Sequence, residues 1–229
     1  MEERSMRIIA RIRGGFSQKF GIPRQSGLVE EVRSRVVFEK EFRDANALSG
    51  IEGYSHLWLI WEFSENLGRD WSPMVRPPRL GGNTRVGVFA TRSPFRPNPV
   101  GLSCVRLLSM EKTRTEGMVL WVAGADLLDG TPIYDIKPYL AYTDSRPDAS
   151  GGFSDGVRDK KLSVIFPKEL FALLPGEQRA AVCKILEGDP RPGYQEEPER
   201  IYGMEYGGFD IRFRVQEGKL TVCSVEKKE

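Results

Sequence analysis

Apolar and polar residues alternate along this chain in short runs, and the runs are cut by glycine and proline instead of merging into long amphipathic stretches. Strict alternation over a few residues turns one face of a strand inward and the other outward, so the pattern predicts strands. They are expected over 7–13, 32–38, 54–63, 85–90, 102–108, 118–125 and 131–136, with 54–63 (YSHLWLIWEF) the most apolar and therefore central. A short helix is expected over 42–48, ended by Gly50. The segments between these strands are made of turn chemistry and lack the long crossover helices that parallel pairs need. A mainly β fold follows, with residues 1–145 rolled into a small antiparallel β-barrel.

The pattern then changes. Residues 146–159 are polar, rich in Gly, Ser and Asp, and read as a linker loop. Residues 160–229 resume with a strand over 162–166 and a helix opened at Pro175, whose apolar face spans 180–186 and which Gly188 and Pro190 close. A hairpin of 209–215 with 219–225, turning at Glu217 and Gly218, completes a small C-terminal α/β domain.

Composition narrows the chemistry. There is one histidine, His56, and the three cysteines (Cys104, Cys183, Cys223) are far apart and form no CxxC. Disulfide frameworks and metal centres are therefore not expected, and the thiols suit a reducing cytoplasm. No signal-like apolar run opens the chain and no segment approaches the ~20 apolar residues of a membrane span, so a cytoplasmic protein without a membrane partner is expected. The formal net charge is only +2, which confines any anion site to a local concentration of arginine.

Such a concentration exists. Between Asp70 and Glu111 there is no carboxylate, but there are six arginines: Arg76, Arg79, Arg85, Arg92, Arg96 and Arg106. Two of them stand in GVFATRSPFRPNPVGLS (87–103), where Pro94, Pro97 and Pro99 exclude helix and central strand and leave a stiff, pre-shaped loop. A planar guanidinium grips phosphate or carboxylate with two bonds and stacks on bases, so one reading is a site for a polyanion or a carboxylate-bearing ligand. The other is a plain surface crossover, with some arginines paired to the acids of 126–144. A second cluster, DGTPIYDIKPY, sets Asp135, Lys137 and Tyr139 at alternate positions and so on one strand face. That is either a functional set or a structural salt bridge. His56 opens the apolar strand, where a hydrogen-bonded core histidine competes with a catalytic one. G-x-G-x-x-G after a strand and Walker A are both absent, so any nucleotide cofactor binds in another manner.

These two motifs, with FGIPRQSGL, YSHLW and RPPRLGG before them, closely resemble the TsaA-like (TrmO) family in order over residues 1–145. YGMEYGGFDIRFRV resembles the C-terminal domain of its bacterial-type members. The resemblance implies an S-adenosylmethionine-dependent tRNA methyltransferase acting on the N6 nitrogen of N6-threonylcarbamoyladenosine beside the anticodon. It implies a donor site on a β-barrel without a Rossmann fold, a homodimer with that site close to the subunit interface, and the tRNA anticodon stem-loop as partner. By position, donor-binding roles fall to Pro23, Arg24, Gln25, Ser64, Glu65, Arg92, Arg96, Asp135, Ile136, Lys137 and Pro138. The catalytic candidates are Asp135, to position or receive the N6 proton, Lys137, to set its charge or hold the threonyl carboxylate, and Tyr139. Two other readings are a non-catalytic RNA- or nucleotide-binding regulatory module and a methyltransferase for a different acceptor.

Overall fold

The computed structural model describes residues 2, 4–80, 83–157, 161–191 and 197–228. Gly81 and Gly82 of the PPRLGG turn, the last two linker residues at 158–159, and residues 160 and 229 lie outside the described residues. The first part of the chain folds into β1 (Ala10–Arg13), β2 (Arg33–Phe38), β3 (His56–Glu62), the short pair β4 (Met74–Val75) and β5 (Val86–Gly87), then β6 (Val100–Thr113), β7 (Gly117–Ala123) and β8 (Pro132–Pro138). Six of these pair antiparallel in the order β1-β2-β7-β6-β3-β8, and β1 pairs with β8 so that the ring closes. Closure leaves no unpaired edge between them. Alternation sets the register. Leu57, Leu59 and Trp61 of β3 point into the ring with Ile12, Val36, Val105, Leu120 and Ile133, while His56, Trp58 and Ile60 face out. A slip of one residue would turn that whole inner set to solvent.

Three expectations need correction. The helix over 42–48 is two 3-10 turns, Lys40–Phe42 and Ala45–Leu48, because the Asp44 carboxylate takes the amide of Asn46 (2.9 Å) and starts a new turn. The strand over 85–90 is only the two residues of β5, after which Val88–Ala90 turns away with the Val88 amide on Pro73 O (3.0 Å). The strand expected over 102–108 runs on to Thr113 through a bulge between Leu107 and Ser109.

A short helix, α1 (Ala141–Asp144), leads out of the ring. The second unit contains β9 (Ser163–Ile165), α2 (Lys168–Leu173), α3 (Gly176–Glu187), β10 (Tyr202–Tyr206), β11 (Phe209–Gln216) and β12 (Lys219–Lys227), with a sheet in the order β10-β11-β12-β9. The β11–β12 turn uses positive φ at both Glu217 (49°) and Gly218 (73°), the geometry whose twist suits a two-residue hairpin. Strand β10 and helix α2 were not among the predicted elements.

The core of this second unit is not its own alone. The loop between β1 and β2 contributes Phe16, Val29 and Val32 to it, with Phe20 and Ile22 partly buried against the same cluster. Phe16 meets Tyr206 edge-on with ring centres 5.0 Å apart, and Phe20 stacks on Tyr202 and Phe213. The approach is close enough that a Cβ on Gly15 would lie 2.7 Å from the Tyr206 ring. Among the described residues no helix is long and apolar enough to cross a membrane.

Candidate active site

At the end of the ring where β3 finishes and β6 begins lies a cleft of about 700 Å³. Its walls come from four places far apart in sequence: the β1–β2 loop with Pro23, Arg24 and Gln25, the 3-10 turn Ser64–Asn66 after β3, the arginine loop from Thr91 to Asn98, and Asp126 beyond β7. Pro23, Arg24, Gln25, Ser64, Glu65, Arg92 and Arg96 all line it. Seven residues proposed from sequence thus meet in one cavity of the size that ordinarily holds a small-molecule ligand.

The two arginines of the loop do different things. Arg96 turns its guanidinium back on its own loop, donating to Thr91 O at 3.0 Å. Around it Thr91 Oγ1 accepts the Ser93 amide (3.2 Å) and Ser93 Oγ accepts the Phe95 amide (3.3 Å). Prolines remove amide donors and fix φ, and these side-chain bonds give the Ser93 and Phe95 amides partners, so the loop holds its shape without a sheet. Arg92 is exposed and donates across the cleft to Gln25 Oε1, joining the two motifs. Arg24 lines the cleft and also donates to the carbonyls of Asp189 (3.2 Å) and Arg191 (2.7 Å) in the second unit. Of the remaining arginines, Arg106 faces Glu30 at 3.7 Å.

A residue not singled out from sequence stands at the back of the cleft. Asp126 accepts a 2.5 Å hydrogen bond from Ser103 Oγ, which itself accepts from the buried indole Nε1 of Trp61 at 2.9 Å. Burial pushes the Asp126 carboxyl up from its ordinary range, and the Ser103 bond and the Arg92 charge pull it partly back. Trp61 lies across Gly101, its partner on β6, so closely that any Cβ at 101 would collide with the indole. Glycine there lets the ring sit flat under the cleft and reach Ser103. Glu62, which lines the cleft, accepts from Tyr134, whose phenol has its pKa pushed up to about 12 by burial and then by that carboxylate.

The second cluster lies elsewhere. Asp135, Ile136, Lys137, Pro138 and Tyr139 do not line the cleft of their own chain. Asp135 and Lys137 pair at 2.9 Å on the outer face of β8 with side chains 44% and 62% exposed, so this is an open ion pair. Ile136 points into the ring core, and Pro138 is exposed. Tyr139 packs against Trp58 and His56 with ring centres 5.7 and 6.1 Å apart. His56 bonds Ser55 Oγ (2.9 Å) outside the cleft, as a structural histidine does. Asp135 faces Ile60, which in turn faces Leu102 on β6, so the pair shares an outer face with a cleft-lining residue two strands away. Among the described residues no group of three or more His, Cys, Asp or Glu side chains is placed to hold a metal.

Comparison with known proteins matches residues 11–145 to the tRNA-methyltransferase O N-terminal domain and residues 159–228 to the TrmO C-terminal domain. The chain belongs to the TrmO family. It is 39% identical over 225 residues to the tRNA (adenine(37)-N6)-methyltransferase of Escherichia coli K12, covering 95% of each chain. A Pseudomonas aeruginosa relative with S-adenosylmethionine-dependent methyltransferase in its name is 41% identical over 213 residues, 90% of each chain. The crystal structure of TrmO from Pseudomonas aeruginosa superposes with a TM-score of 0.78 at 32% identity, over 98% of this chain and all of that one.

Asp126, Trp61, Phe95 and Arg69 line the cleft without having been singled out, with Ser103 bonded behind Asp126. One signal for Asp126 was present: it sits in AGADLLDG with apolar residues on both sides, an unusual place for a charge with no task.

Proposed function

We propose that this TrmO-family chain transfers a methyl group from S-adenosylmethionine to the N6 nitrogen of N6-threonylcarbamoyladenosine beside the anticodon of tRNA, as a cytoplasmic homodimer. In this reading residues 1–145 form the β-barrel methyltransferase domain and 160–229 a second domain joined by the 146–159 linker. The observation that carries the reading is the cleft itself: a half-buried carboxylate, Asp126, faces an exposed guanidinium, Arg92, between apolar walls that include Phe63, Phe95 and Leu102. That charge layout matches a zwitterionic ligand with a flat base. Arg92 takes the donor's carboxylate, Asp126 takes its positive end, and Phe95 and Leu102 cover the adenine.

The bound donor supplies a methyl group on a sulfonium, a leaving group that needs no activation. The chain therefore has two tasks, alignment and proton removal. The carbamoyl-bearing N6 nitrogen is a weak nucleophile. Its lone pair forms the new bond as the sulfur leaves while its proton passes to Asp135, and Lys137 pairs with that carboxylate or holds the threonyl carboxylate, with Tyr139 beside them. Because the Asp135–Lys137 pair does not line its own chain's cleft, it reaches a reacting nitrogen at the cleft mouth of a second copy. Exposed apolar residues at and near the mouth, Phe89 (74%), Leu102 (48%) and Phe95 (40%), support such a neighbour.

Mass spectrometry of tRNA nucleosides from a strain lacking this protein tests the substrate. Loss of the N6-methylated threonylcarbamoyl nucleoside is expected, and an unchanged level would move the activity to another acceptor. Asp135→Asn tests the base: methyl transfer should fall by about 10²-fold or more with donor affinity retained, and full activity would remove Asp135 from the mechanism.

A further inference from the structure

The donor-site motif Pro23–Gln25 is only partly supported by the unit to which it belongs in sequence. Gly27 N bonds Gly124 O at 2.9 Å and anchors the end of the loop to the ring. The stretch before it is held by the C-terminal unit: Phe16, Phe20 and Ile22 pack into that core, and Gly207 N donates to Gly15 O (2.8 Å). Arg24 makes its two backbone bonds to the turn after α3, at Asp189 and Arg191.

That turn is built for the purpose of presenting carbonyls. Asp189 adopts φ 51°, a left-handed conformation that aspartate tolerates better than most residues. Its carboxylate accepts from the Arg191 amide (3.2 Å) and from Arg191 Nε and Nη2 (2.9 Å each). Arg191 in turn lies over the Tyr202 ring at 5.8 Å, and Pro190 between them has a fixed φ. The carbonyls of 189 and 191 are thereby aimed at one guanidinium. Neither Asp189 nor Arg191 lines the cleft.

We propose that Asp189 and Arg191 are positioning residues for methyl-donor binding: the turn they form holds Arg24, and through it the Pro23–Gln25 loop, in the shape that places Gln25 against Arg92. The C-terminal unit then acts in the reaction as a clamp on the donor site, which gives it a role independent of any contact with RNA. This rests on the reading of the cleft as the donor site. Clamping in advance removes an ordering cost that binding would otherwise meet, so it acts on donor affinity and not on the chemical step.

The test is titration calorimetry of the full-length chain with S-adenosylhomocysteine, with steady-state kinetics on tRNA. Arg191→Ala should weaken the analogue's binding and raise the donor KM, each by about tenfold, the worth of a charge-assisted hydrogen bond. The kcat at saturating donor and the tRNA KM should stay as in wild type. A role confined to folding would lower Tm and the active fraction and leave donor affinity alone, and that result overturns the proposal. Asp189→Asn, which keeps the tolerance for left-handed backbone and one acceptor oxygen, should fall between wild type and Arg191→Ala. It serves as the test if Arg191→Ala does not fold. The double variant Arg24→Ala/Arg191→Ala should be no weaker than Arg24→Ala alone, because both break one link. Additive losses would show that Arg191 acts by another route. Wild-type protein that bound no analogue at all would instead bring down the donor-site reading on which the proposal stands.

Discussion

At the scale of single residues, the chemistry of the cleft turns on Asp126. A half-buried carboxylate there accepts a bond from Ser103, which in turn accepts from the Trp61 indole. Because burial raises its pKa in the folded chain, the native state holds the proton to higher pH than the unfolded state does. Stability from this group is therefore full below the ordinary aspartate range and is lost as pH rises through the raised folded value. Asp126→Asn mimics the protonated form at every pH. The variant should match wild type in Tm below the ordinary aspartate range and gain on it as pH rises to the raised folded value, the difference staying constant beyond that, while its affinity for the donor analogue falls by about tenfold or more from loss of a half-buried charge partner. Scanning calorimetry across pH reads the first effect and titration calorimetry the second. A Tm difference that ran the other way with pH would mean that the carboxylate is stabilised when ionised. Little of this was legible in sequence. The flanking apolar residues marked Asp126 as odd, but its partners Ser103 and Trp61 arrive from two other strands, and only the register of β3 on β6 brings them together.

At the scale of elements, the arginine loop shows why composition identified the place and not the roles. The prolines and the absence of carboxylates from 71 to 110 made a stiff cationic loop legible. Which arginine serves the ligand was not, since Arg92 and Arg96 are alike in sequence and differ only in where the loop's turns aim them. Arg96 braces carbonyls of its own loop and Arg92 faces the cleft. The two alanine variants should accordingly separate. Arg96→Ala should lower Tm and make the loop easier to cleave by limited proteolysis. Arg92→Ala should leave Tm and proteolysis unchanged and weaken donor binding, by about tenfold if one charge-assisted contact is lost. Identical behaviour of the two would deny the division. The same contrast runs through the fold. Strands 54–63 and 118–125 were readable because each is an apolar run of strand length rich in β-branched and aromatic residues. The two-residue β5 and the 3-10 turns at 40–48 were not, because there a side-chain cap and a proline-bounded turn outweigh the apolar pattern.

At the scale of the whole molecule, the polar stretch 146–159 reads in composition as a linker, yet packing joins the parts of the chain on either side of it. Phe16, Val29 and Val32, close to the N-terminus, are buried in a core made mainly of residues 174–225. Sequence carries no sign of this, since an apolar residue in a glycine-punctuated loop does not say which sheet it will cover. Burying three such side chains is worth about 5–9 kcal/mol at 1.5–3 kcal/mol each, comparable with the roughly 5–15 kcal/mol net stability of a typical domain. A fragment ending at residue 145 would turn those side chains, and Phe20 and Ile22 with them, out to water. It should therefore be aggregation-prone and should bind the donor analogue at least tenfold more weakly than the full chain, since it also loses the carbonyls that hold Arg24. Size-exclusion chromatography and calorimetry on the fragment read both effects. A monodisperse fragment with full-length affinity would mean that the β1–β2 loop holds its shape on the ring alone. In that case the second core would stabilise the chain without shaping the site.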